Sequence, residues 1–109
     1  TVVSIALSDI AYQADKLYSY SVPERLEETI SLGFRVLVPF GRGNKLCQGI
    51  VMRLERNSEA EDLKAIDQLL DSLPVLTEEQ LELAAFMKER LFCTYSDAVR
   101  LMLPAGYHM

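Results

Sequence analysis

The spacing of apolar residues changes once along this chain, and that change limits what it can fold into. Up to about Leu54 they alternate with polar ones: Val3, Ile5 and Leu7; Tyr18, Tyr20 and Val22; Val36, Val38 and Phe40. Alternation puts each set on one face of a β-strand. After Pro74 the spacing becomes helical, with Leu83, Phe86, Met87, Arg90 and Leu91 one to two turns apart on a common stripe. The pattern predicts an α+β fold: a small antiparallel, barrel-like β-sheet in the N-terminal half, followed by a helical C-terminal segment. Met87 and Met102 fall at helical apolar positions and are expected to fill core space.

Boundaries follow from local chemistry. Pro23 and Gly33 break the strand runs, and "GRGN" (Gly41 to Asn44) joins the third strand to "KLCQGIVMRL" as a hairpin. Residues 1–54 therefore read as β-rich. The polar stretch 55–62 reads as a solvated acidic loop, and 63–71 as a strand or short helix. Thr77 followed by Gln80 has the form of a capping box, which starts a helix over about 78–92. A second helix, over about 96–103, is stopped by Pro104. At 109 residues this is one domain, and its abrupt end after the last helix suggests a piece of something longer.

Composition removes several function classes. No apolar run is long enough to span a bilayer, and the start has no secretory-signal pattern, so no membrane partner is expected and the cytoplasm is the default location. Cys47 and Cys93 are far apart, with only His108 as a nitrogen ligand, so no disulfide framework or zinc site is signalled; both read as buried small hydrophobes. "GRGNK" lacks the spacing and the strand-to-helix context of a phosphate-cradling GxxxxGK(S/T) loop. No catalytic arrangement is visible, so the chain is expected not to be an enzyme.

Charge is uneven. Net charge is -5, yet Thr29 to Leu54 contains Arg35, Arg42, Lys45 and Arg53 and no acid. A local positive patch on an acidic protein docks an anion without adhering broadly to duplex DNA. Nearby Glu55, Glu59, Glu61 and Asp62 could instead balance those charges, leaving an ordinary solvated face. Lys64, taken alone, reads as a solvated lysine.

"KLYSYSVPERL", then "LGFRVLVPFGRGNKLCQGIV", then "LKAIDQLLDSLPVLTEEQLELAAFMKERLFCTYSDAVRLMLPAG" together resemble the N-terminal domain of the PriA-type replication-restart DNA helicases, the primosomal N′ family. The anchors are Tyr18, Tyr20 and Pro23; Gly33, Arg35, Val36 and Val38 to Gly41; Gly49 to Val51; Leu63 to Ile66; and Leu70, Asp71 and Pro74. The resemblance implies a module that takes the 3′-terminal nucleotide of a leading strand, at stalled or abandoned forks, in a pocket formed by Tyr18, Ser19, Tyr20, Gly41 and Lys64. Ser19 stands where the family often has Asp, exchanging a carboxylate for an uncharged hydroxyl.

Strand geometry directs Tyr18 and Tyr20 to one face and Ser19 to the other. One pocket therefore requires a bulge, a strand end or a backbone contact at these residues. The resemblance further implies DNA with a 3′-hydroxyl end and branched fork DNA as partners, along with other domains of a parent helicase and, through it, primosome proteins. It implies ATP, magnesium and zinc for that parent, no cofactor for this domain, and association with the nucleoid. The alternative from another class is a protein-interaction module that docks on a neighbouring domain through its helical half, without touching DNA.

Overall fold

The computed structural model describes residues 1–58 and 60–109; Glu59, placed above in the acidic loop, lies outside the described residues. Strands β1 (Val2–Leu7), β2 (Leu17–Ser21), β3 (Arg35–Phe40), β4 (Lys45–Glu55) and β5 (Gln68–Leu69) form one antiparallel sheet in the order β2-β1-β4-β3-β5. Helices α1 (Glu78–Leu91) and α2 (Tyr95–Arg100) follow, giving the α+β arrangement. The hairpin is where its glycines put it, with Phe40 paired to Lys45 across the turn.

The sheet carries a core on each face. On one face Val3, Ile5, Leu7, Tyr20, Val36, Val38 and Val51 pack with Ile30, Phe34 and Ile66 from the connecting segments. On the other, Ala6, Ile50 and Met52 meet Leu81 and Ala84 of α1 and Ala98 and Val99 of α2. Both faces of β1 and β4 are thus covered. A bulge helps: the β1–β4 register shifts between Ser4 and Ile5, so that Val51 pairs with Ile5 and Leu54 with Val3. Two residues, Met52 and Arg53, lie between Val51 and Leu54, and the extra one, Met52, resets the alternation so that both reach the same core.

The barrel-like expectation is met only in part, because the sheet is not closed. Segment 64–69 crosses from one edge strand toward the other. It meets β2 through an isolated parallel bridge between Ser21 and Ala65, and then continues as β5 along β3. Of the two readings offered for 63–71, the strand is the one observed, and it is two residues long.

The helices differ from expectation in phase and in start. In α1 the buried residues are Leu81 and Ala84, whereas Leu83, Phe86 and Leu91 are 48%, 54% and 62% exposed. Both stripes satisfy helical spacing. Packing chose the one whose alanine permits close approach of the helix to the sheet. Met87 and Met102 are partly buried against the same core. The Thr77–Gln80 capping box is present, with the Gln80 N–H donating to Thr77 Oγ1 at 3.2 Å and the Thr77 N–H to Gln80 Oε1 at 2.9 Å. Helix α2 starts earlier than expected because Thr94 and Asp97 form a second capping box, and it ends at Arg100. Accepting the Thr94 N–H and hydroxyl hydrogen bonds holds the Asp97 carboxyl below its ordinary range.

The cysteine expectation is corrected. Cys47 and Cys93 are only half-buried, since Cys47 lies near the hairpin tip, where the sheet runs beyond its cover. Lys88 Nζ is 3.0 Å from Asp15 Oδ2, whose side chain is fully buried, and 4.3 Å from the centre of the Tyr12 ring. Asp15 Oδ2 also accepts the Tyr95 N–H at 2.8 Å, which ties the turn before β2 to both helices.

Candidate functional site

The basic window is dispersed by the fold. Arg35 is committed to Asp71, with Nη2 at 2.6 Å from Oδ1, and its guanidinium lies 4.8 Å from the centre of the Tyr107 ring. Arg53 lines a separate cleft between β4 and α1, beside Glu55, Glu78 and Glu82. Arg42 and Lys45 remain exposed at the hairpin, so the patch is smaller than the sequence indicates.

Beside that hairpin, at the open seam of the sheet, is a cavity of about 230 Å³ lined by Tyr18, Ser19, Tyr20, Phe40, Gly41, Asp62, Leu63 and Lys64. All five residues singled out from the sequence line it. They come from three segments: edge strand β2, the β3–β4 turn, and the stretch after the acidic loop. Lys64 Nζ donates to the Gly41 carbonyl at 2.8 Å, joining two of these segments across the cavity.

Local geometry gives each residue a distinct part. Tyr18 is half-buried; its hydroxyl donates to the Ala14 carbonyl at 2.7 Å, and its ring meets Phe40 edge-on, with centroids 4.9 Å apart. Tyr20 is a buried wall, 3% exposed, whose hydroxyl donates to the Pro39 carbonyl at 2.8 Å. That burial pushes its hydroxyl pKa up to about 12. Gly41 has φ 78°, and a Cβ there would meet nothing within 4 Å. The left-handed backbone therefore demands glycine, and the space above it stays free.

Ser19 reaches the cavity through its backbone. Strand β2 is regular, pairing residue for residue with β1 from Leu17 to Ser21, so the bulge or strand-end alternative is not what the fold uses. Ser21 directs its N–H to the Lys64 carbonyl at 2.9 Å and accepts from the Ile66 N–H at 3.1 Å, both on the edge away from β1. In an antiparallel ladder residues two apart point their backbone groups the same way. The Ser19 N–H and C=O therefore face that same edge, without a partner among the described residues. Sequence reasoning missed Phe40 and Asp62. Phe40 was visible within the Val-Pro-Phe-Gly run but read as strand core; Asp62 sat in a stretch read only as solvated acid.

Among the described residues no group of three or more His, Cys, Asp or Glu is placed to hold a metal ion, and no helix is long and apolar enough to cross a membrane. An open sheet backed by two helices, with aromatic rings, a lysine and free strand-edge amides around one small cavity, defines a small α+β binding domain. The chain belongs to the 3′DNA-binding domain (3′BD) family, whose model matches residues 3–104, and is thus a DNA-binding domain. It is 34% identical over 94 residues to the replication restart protein PriA of Bacillus subtilis (strain 168), a match over 84% of this chain and 11% of that protein. It is 36% identical over 85 residues to the replication restart protein PriA of Rickettsia conorii (strain ATCC VR-613 / Malish 7), over 78% of this chain and 12% of that protein. The chain thus spans about a ninth of the length of these relatives.

Proposed function

We propose that this domain takes the 3′-terminal nucleotide of a DNA strand in the seam cavity and serves a parent protein that acts in replication restart. The observation that carries the reading is the convergence of Tyr18, Ser19, Tyr20, Gly41 and Lys64 on one cavity of about 230 Å³, a volume suited to one nucleoside and far too small for a duplex. The exposed aromatic surface of Tyr18 and Phe40 stacks on a base of any identity, a contact worth about 1–3 kcal/mol. The Ser19 edge amides offer a donor and an acceptor to the same nucleotide. Lys64, positioned by the Gly41 carbonyl, supplies positive charge for a phosphate. Backbone contact leaves the Ser19 side chain free to vary.

In this reading branched fork DNA with a 3′-hydroxyl end is the target, in the cytoplasm at the nucleoid. The domain itself needs no cofactor and hydrolyses no ATP; helicase chemistry, ATP, magnesium, zinc and contacts with primosome proteins belong to the rest of the parent. The exposed apolar stripe of Leu83, Phe86 and Leu91 supports a docking role for the helical half, in addition to DNA binding and not in its place.

The test is competition at one salt concentration between a linear oligonucleotide ending in a 3′-hydroxyl and a circular strand of the same composition. The linear strand is expected to win, and Tyr18→Ala to remove most of its advantage. Equal competition by the circle would falsify end recognition.

A further inference from the structure

Most polar side-chain groups around the seam cavity are already committed. The Tyr18 hydroxyl donates to the Ala14 carbonyl, the Tyr20 hydroxyl to the Pro39 carbonyl, and Lys64 Nζ to the Gly41 carbonyl. The Ser19 hydroxyl departs from the sheet face that Tyr18 and Tyr20 occupy. Asp62 is different. It is exposed, lines the cavity two residues before Lys64, and its carboxylate makes no hydrogen bond or ion pair with any described residue. Its backbone is left-handed, with φ 65°, a conformation uncommon for residues other than glycine and best tolerated by Asn and Asp. Among the described residues Asp62 is the single anion lining a cavity assigned to a polyanion.

An ionised carboxylate only accepts hydrogen bonds. A nucleotide ending in a 3′-hydroxyl offers it a donor. One ending in a 3′-phosphate offers a further negative charge, and one continuing into the next nucleotide brings a phosphodiester to the same place. We infer that Asp62 is the specificity-determining residue that makes the cavity select a 3′-hydroxyl terminus, by accepting a hydrogen bond from the hydroxyl and repelling any phosphate there. The inference rests on the end-binding reading above and names the group that does the selecting. Lys64 then serves the phosphate on the 5′ side of the terminal nucleotide, so a cation and an anion two residues apart face opposite ends of one sugar.

The experiment titrates the whole chain with oligonucleotides ending in 3′-hydroxyl, 3′-hydrogen (dideoxy) and 3′-phosphate, with a circular strand as reference. Wild type, Asp62→Asn and Asp62→Gly are compared, because both replacements tolerate the left-handed backbone and circular dichroism verifies their folding. Ratios of affinity are the readout, since losing one negative charge strengthens binding to every strand. Wild type is expected to prefer hydroxyl over phosphate, and Asp62→Asn to shrink that ratio about tenfold, the size of a carboxylate–phosphate repulsion at a partly hydrated site. Asp62→Gly is expected also to abolish the preference for hydroxyl over dideoxy, which Asn, keeping an acceptor oxygen, retains in part. If linear strands still outcompete the circle but the hydroxyl-to-phosphate ratio is the same in all three proteins, ends are read and Asp62 does not read them. If the circle competes equally with wild type, the end-binding reading fails and this inference falls with it.

Discussion

Lys64 is the residue whose meaning changes most between sequence and structure. In the sequence it is one lysine after an acidic stretch; in the fold its ammonium is fixed by the Gly41 carbonyl at 2.8 Å on the wall of the seam cavity. In the proposed site that fixed point charge makes one phosphate contact. Lys64→Ala is therefore expected to weaken binding to a 3′-ended strand several-fold and to make the salt dependence shallower by roughly one phosphate. Arg90, exposed on α1, is the appropriate control and should change neither quantity. Lys88 would be a poor one, because it is paired with buried Asp15. Equal losses from Lys64→Ala and Arg90→Ala, measured as log affinity against log salt, would point to diffuse attraction instead of a pocket.

Among the elements, the turn Tyr12–Ala14 and the two helices are joined by that same pair. Asp15 Oδ2 takes Lys88 Nζ at 3.0 Å and the Tyr95 N–H at 2.8 Å, and Lys88 Nζ lies over the rings of Tyr12 and Tyr95. Removing the cation strands a buried carboxylate, so Lys88→Ala is expected to cost on the order of 3 kcal/mol in urea denaturation. Lys88→Ala combined with Asp15→Asn should recover part of that loss, since the uncompensated charge is then gone. A double variant as unstable as the single one would mean that the lysine acts through its packing against the rings and not through its charge.

For the whole molecule, Tyr20 connects the site to global stability, because the wall of the cavity is also core: its ring packs against the β-sheet and its hydroxyl bonds the Pro39 carbonyl on β3. Burial is the main cause raising its pKa from 10.0 to about 12. The folded state thus holds this proton more tightly than the unfolded one, so the contribution is complete below the unfolded value and is lost as pH rises from there through the folded value. Wild type is expected to lose stability between about pH 10 and about pH 12, and Tyr20→Phe to lose less over that window while starting about 1 kcal/mol lower for the missing hydrogen bond. Parallel pH curves for the two proteins would refute this. The strand alternation, the "GRGN" hairpin and the Thr77–Gln80 cap were readable in the sequence because each depends on neighbours a few residues apart. So was the membership of Tyr18, Ser19, Tyr20, Gly41 and Lys64 in a single set, through resemblance. Tertiary packing alone decided which stripe of α1 is buried, since Leu81 with Ala84 and Leu83 with Phe86 share one period. It alone decided that Arg35 is consumed by Asp71, that Ser19 presents its backbone at an unclosed edge, and that Asp62 stands in the cavity. Each of these depends on partners distant along the chain, whose proximity arises only when the sheet folds and stops short of closing.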